Sequence, residues 1–145
     1  MKSRGLKGVN LVISDAHQSI RKAITDVFPY AAWQRCQVHL ERNIVDVTPI
    51  KYKEGMKLEL RNMFNASTLT EAERIKNEIV NDYKNVAPAA VEKLENGFWD
   101  SMTIMSIVHQ DIRKYLRTSN IIERLNRELK RRSDVIQIFP NIESI

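Results

Sequence analysis

Hydrophobic positions recur with two different periods along this chain, and the change of period divides it. Leu11-Val12-Ile13 is a short apolar, partly β-branched run bounded by Gly8 and Asn10 before and Ser14-Asp15 after, which predicts a buried strand. Ile20, Ala23, Ile24, Val27 and Phe28 then follow at helical spacing until Pro29, predicting an amphipathic helix that begins near Gln18. Ala31 to Leu40, AAWQRCQVHL, reads as a second strand passing into a helix near His39. A strand, a helix and a strand in that order predict a βαβ unit in a parallel or mixed sheet, and hence an α/β fold.

From about Lys53 to Asn96 the period is helical throughout. Met56, Leu60, Met63 and Phe64 share one face. Thr70 and Glu73 stand in capping-box spacing before a stripe of Ala72, Ile75, Ile79, Tyr83 and Val86. Pro88 opens a shorter helix with Val91 and Leu94 that Gly97 is expected to close. A last helix is introduced by Thr118, Ser119 and Asn120 in TSNIIERLNRELKRR, with Ile122, Leu125 and Leu129 as a narrow apolar stripe. After Ser133-Asp134, VIQIFPN reads as an extended piece.

Composition narrows the class. At 145 residues, 43% of them hydrophobic, with four glycines and four prolines, the chain fits one packed domain. Cys36 is its single cysteine, so no internal disulfide forms and a reducing, cytoplasmic setting is expected. No apolar run approaches the roughly 20 residues of a membrane span, and the opening MKSRGLKGVNLVISDAH has no signal-peptide apolar region. The net charge of +5 is unevenly placed. Between Arg113 and Arg132, eight basic residues (Arg113, Lys114, Arg117, Arg124, Arg127, Lys130, Arg131 and Arg132) face two acids, Glu123 and Glu128, leaving −1 for the rest. Such a stripe suits a phosphate backbone, because each neutralised phosphate releases condensed counterions. A solvated helix face laced with i,i+4 pairs such as Glu123–Arg127 is the simpler alternative.

Four residues invite chemistry. Asp15 stands at the carboxyl end of a strand, where open α/β sheets place ligand chemistry, although it can equally serve as an Asx-turn or helix cap. Glu123, with Asn120 as N-cap, completes an N-x-x-E capping box. Cys36 and His39 have metal-ligand spacing, but a closed zinc site needs four ligands, and His17, His109 and no second thiol are what remain. A buried cysteine beside a hydrogen-bonded histidine is the simpler reading. Neither a nucleophile elbow nor a phosphate-cradling glycine loop is present.

Three blocks carry more together than singly: RGLKGVNLVISDAHQSIRKAITDVFP, AAWQRCQVHLERN and RKYLRTSNIIERLNRELKRRSDVIQIFPN. In content, order and approximate spacing they resemble the Mutator-type transposases of bacterial insertion sequences; from Val45 to about Gln110 only the helical character is similar. The resemblance implies a ribonuclease-H-like core with a D-D-E carboxylate triad, interrupted by a helical insertion. It divides this chain into a partial core (1–48), the insertion (49–111) and a core helix with a C-terminal segment (112–145). Asp15 matches the second aspartate and Glu123 the glutamate. Cys36 and His39 match a C-x-x-H motif close to the active centre. Arg124, Arg127, Lys130, Arg131 and Arg132 would hold the DNA backbone.

Such enzymes cleave and join DNA by phosphoryl transfer. Two Mg²⁺ or Mn²⁺ ions roughly 3.5–4 Å apart activate the attacking oxygen and stabilise the leaving one. Hard cations select oxygen donors, which suits carboxylates such as Asp15 and Glu123. The implied partners are transposon ends and target DNA, with self-association or association with a full-length transposase, and the implied location is the cytoplasm, at the nucleoid when bound to DNA. Relative to the family pattern the chain is truncated at both ends. The first aspartate would lie upstream of RGLKGV, and no aspartate precedes Asp15. The two-metal site is therefore expected only in the intact domain, this polypeptide alone is expected to be inactive, and Leu11-Val12-Ile13 is expected to leave an open sheet edge. Val108-His109-Gln110 also departs from the pattern, which has a hydrophobic residue, proline and an acid there. The competing expectation is a non-catalytic DNA-binding or oligomerisation module that interferes with the full-length enzyme.

Overall fold

A computed structural model describes residues 8–107 together with Arg113 and Leu116. Strand β1 (Leu11–Ser14), helix α1 (Gln18–Val27) and strand β2 (Ala32–Arg35) form the expected βαβ unit. The strands pair in parallel, with Leu11 opposite Ala32 and Ser14 opposite Arg35. Backbone bonds from Ala32 N to Asn10 O (2.9 Å) and from Cys36 N to Ser14 O (2.8 Å) extend the ladder at both ends. Then come α2 (Gln37–Asp46), a short 3-10 helix (Ile50–Tyr52), α3 (Lys53–Asn65), α4 (Leu69–Tyr83), α5 (Pro88–Ser101) and α6 (Ile104–Ile107). The class is α/β, mostly helical.

Packing is unequal in the two parts. Leu40 and Ile44 of α2, Met56, Leu60 and Met63 of α3, Ile79 of α4, and Leu94 and Phe98 of α5 are fully or almost fully buried in one cluster. Each such side chain contributes about 1.5–3 kcal/mol of apolar burial. The predicted face of α3 (Met56, Leu60, Met63, Phe64) is the buried one. The βαβ unit differs from expectation. All four residues of β1 are half-buried, and α1 buries none, with Ile20 and Val27 more than one-third exposed. Two four-residue strands are too narrow to cover the apolar stripe of a ten-residue helix. Among the described residues β1 has one neighbour, β2. What ties α1 down is polar as well: the Arg21 guanidinium lies 4.2 Å above the Trp33 ring and 3.3 Å from Asp100 Oδ2 of α5.

Two helix boundaries correct the sequence reading. The cap of α4 is Thr68, whose hydroxyl accepts from Glu71 N at 3.2 Å, and not Thr70. Glu71 pairs with Arg74 instead of returning to the cap, which holds the Glu71 carboxyl below its ordinary range. Gly97 does not close α5, which runs on to Ser101. Its missing side chain serves a helix crossing. A Cβ there would stand 2.6 Å from Leu40 Cδ1 and 2.8 Å from Arg35 Nη1, so glycine is what lets α5 lie against α2 and the end of β2.

Candidate functional site

Asp15 follows the last residue of β1, at the end of the sheet where both parallel strands finish. It is exposed, and its Oδ1 accepts from Ala16 N at 2.7 Å. That bond uses one carboxylate oxygen only. The simpler reading of Asp15 as a helix cap is not what the fold does: His17 is the N-cap of α1, and it makes no side-chain capping bond. Its Nδ1 lies 2.7 Å from Ser19 Oγ. Asp15 therefore presents a carboxylate oxygen to solvent at the carboxyl end of the strands, the place where an α/β sheet puts ligand chemistry.

Across the ladder sit Arg35 and Cys36. Cys36 is fully buried and is the N-cap of α2, and His39, half-buried, lies in the first turn. The fold thus brings Asp15, Cys36 and His39 to the same end of the sheet, with Cys36 sealed from solvent. Among the described residues no three carboxylate, histidine or cysteine groups come together in a way that could hold a metal ion. Asp15 suits a hard cation chemically, through its uncommitted oxygen. Glu123 and the basic residues Arg124, Arg127, Lys130, Arg131 and Arg132 all lie outside the described residues, as does His109.

Sequence reasoning missed three residues beside this site. Gln34 of β2 is fully buried; its Nε2 donates to Ser101 O and, at 3.0 Å, to Arg35 O, while its Oε1 accepts from Ile104 N at 3.0 Å. Gln37 Nε2 donates to the same Ser101 carbonyl at 2.8 Å. Gln34 fastens the end of α5 and the start of α6 to β2, and Gln37 fastens the end of α5 to the first turn of α2. Arg35 is the third: its Nε is buried and makes no hydrogen bond among the described residues. A polar residue at an inward strand position, Gln34 between Ala32 and Cys36, was the available signal. Arg113, one of the basic stripe, donates to Ser67 O and Met105 O, each at 3.0 Å, so it holds chain to chain.

The Mutator-family transposase profile matches residues 1–145, the whole chain. The chain belongs to the Mutator family of transposases. It is 39% identical over 144 residues to the transposase for insertion sequence element ISRM5 of Rhizobium meliloti, covering 99% of this chain and 36% of that protein. The transposase for insertion sequence element IS256 in transposon Tn4001 of Staphylococcus aureus is 38% identical over 143 residues, 97% of this chain and 36% of its own length. That for IS406 of Burkholderia multivorans is 38% identical over 143 residues, 98% and 37%. The chain thus spans little more than a third of the length of these family members. Among the described residues no helix is long and apolar enough to cross a membrane.

Proposed function

We propose that this chain supplies part of the ribonuclease-H-like catalytic domain of an insertion-sequence transposase, with Asp15 and Glu123 as two of its three carboxylates. The observation that carries the reading is the place of Asp15: exposed, one oxygen uncommitted, at the carboxyl end of a parallel strand pair in a chain that matches the family along its whole length. On this reading the helices between Ile50 and Ile107 belong to the insertion that separates Asp15 from Glu123 in sequence. A bound Mg²⁺ or Mn²⁺ would supply charge neutralisation at phosphorus and a more acidic water. Asp15 and Glu123 would hold it through oxygen, and Arg124, Arg127, Lys130, Arg131 and Arg132 would hold the transposon-end or target DNA backbone.

Two carboxylates do not hold two ions, so a polypeptide of these 145 residues tested by itself is expected to bind DNA without cutting it. The test is incubation with transposon-end duplex and Mg²⁺ or Mn²⁺, alongside a mobility-shift assay. The expected result is a shifted duplex, no nicking, and weaker, less salt-dependent binding in Arg131→Ala/Arg132→Ala. Nicking that Glu123→Gln abolishes would refute the inactivity while supporting the site. The second reading, a non-catalytic module that associates with a full-length transposase, is favoured by the exposed apolar stripe of α1. Inhibition of a full-length enzyme that persists in Asp15→Asn and Glu123→Gln would select it.

A further inference from the structure

The basic residues of the helical part are concentrated on α2, α3 and the turn between them. Helices α4 and α5 carry seven carboxylates against three basic residues, whereas the stretch from α2 to α3 carries five basic residues against four acids. Three of those five, Lys53, Lys57 and Arg61, recur every fourth residue along α3, on a face other than the one that buries Met56, Leu60 and Met63. Spacing of four residues sets successive cations about 6 Å apart along the helix. They form one wall of an open groove of about 630 Å³ whose other wall is α2, with Arg42, Glu41 and Asp46. The groove has a net charge of +2, four cations against two acids, on a part of the chain that is otherwise acidic.

Two of the groove's four cations already have a carboxylate partner. Arg61 Nε lies 3.5 Å from Glu41 Oε1, with the Arg61 side chain 65% and that of Glu41 22% exposed, and Lys57 Nζ lies 2.6 Å from the exposed Glu54 Oε1 outside the groove. Exposed pairs of this sort contribute little, so an incoming phosphate can displace the carboxylate. Lys53 and Arg42 make no ion pair among the described residues. A row of three cations at regular rise, with Lys53 of the row and Arg42 opposite making no ion pair among the described residues, matches a repeating anion better than a single small one.

We propose that the α2–α3 groove is a second nucleic-acid surface, which takes the phosphate backbone of a DNA duplex along Lys53, Lys57 and Arg61, with Arg42 opposite. It is separate from the basic segment 113–132 and rests on the reading that the chain works on DNA. The test is fluorescence anisotropy of a labelled duplex with the whole chain between 50 and 200 mM salt. Lys53→Gln/Lys57→Gln is expected to weaken binding at least tenfold and to lower the salt slope by about 0.9 for each phosphate no longer neutralised, so close to 2. Lys76→Gln/Lys93→Gln, on the acidic helices, is expected to leave both unchanged. Thermal melting checks that each variant folds. If the groove variant binds like wild type while Arg131→Ala/Arg132→Ala binds weakly, the groove proposal fails and DNA binding stands. If wild type binds no duplex, or binds a polyglutamate peptide in its place, both fail.

Discussion

Replacing Gln34 by methionine keeps the side chain's length and removes its three hydrogen bonds. The Ile104 N–H is left buried with no acceptor, which costs about 1–3 kcal/mol. Ser101 O loses one of two donors but keeps Gln37, and Arg35 O loses its bond from Nε2, so these two together weaken the fold by roughly a further 1 kcal/mol. Burying a thioether where an amide stood offsets about 1 kcal/mol through the added apolar surface. The balance is a loss near 2 kcal/mol, which lowers the melting temperature by roughly 5–10 °C in a domain of this size. Circular dichroism melting reads the shift, and amide hydrogen exchange reads its origin, because the Ile104 amide should exchange much faster in the variant while amides of α3 keep their order of protection. A variant as stable as wild type, with the Ile104 amide equally protected, would show that Gln34 does not fasten α5 and α6 to β2.

Two other expectations follow from local packing and burial. Gly97→Ala gains about 1 kcal/mol of helix propensity but drives a methyl into the fully buried Leu40, an overpacking of about 1–3 kcal/mol; the net is a small loss, and a higher melting temperature would contradict the close α2–α5 crossing. Burial, aided by the hydrogen bond to Glu59, pushes the Tyr83 phenol up to about 12. The folded state therefore favours the protonated phenol: its contribution is intact below the unfolded value near 10 and is lost as pH rises toward 12. Ultraviolet titration should show a late tyrosine that is absent in Tyr83→Phe, and a variant that loses stability across that range as steeply as wild type would contradict the assignment.

The order of elements was legible because each rests on local periodicity. Leu11-Val12-Ile13, the stripe of α1 and the Met56 to Phe64 face all stand where the pattern put them. Burial of α1 was not legible, since amphipathicity describes the helix and not the width of the surface it meets. The α4 cap moved by two residues because Thr68 and Thr70 each have a glutamate three positions on, and local sequence does not choose between them. Gly97 was misread because a helix-ending glycine and a helix-crossing glycine look alike until Leu40 and Arg35 are brought against it. Asp15 was picked out from its expected position after a strand, and it does follow the last residue of β1. Gln34 and Gln37 were not picked out, because their partners are main-chain atoms more than sixty residues away.

The most direct measurement is the binding of Mn²⁺ to the whole chain, followed by the paramagnetic resonance of the free ion, in wild type, Asp15→Asn, Glu123→Gln and the double variant. If the two carboxylates converge on one ion, either single substitution removes the same binding step and the double variant loses nothing further. Two steps lost independently, or a step that survives both substitutions, would place Asp15 and Glu123 apart and contradict the transposase site proposed for this chain.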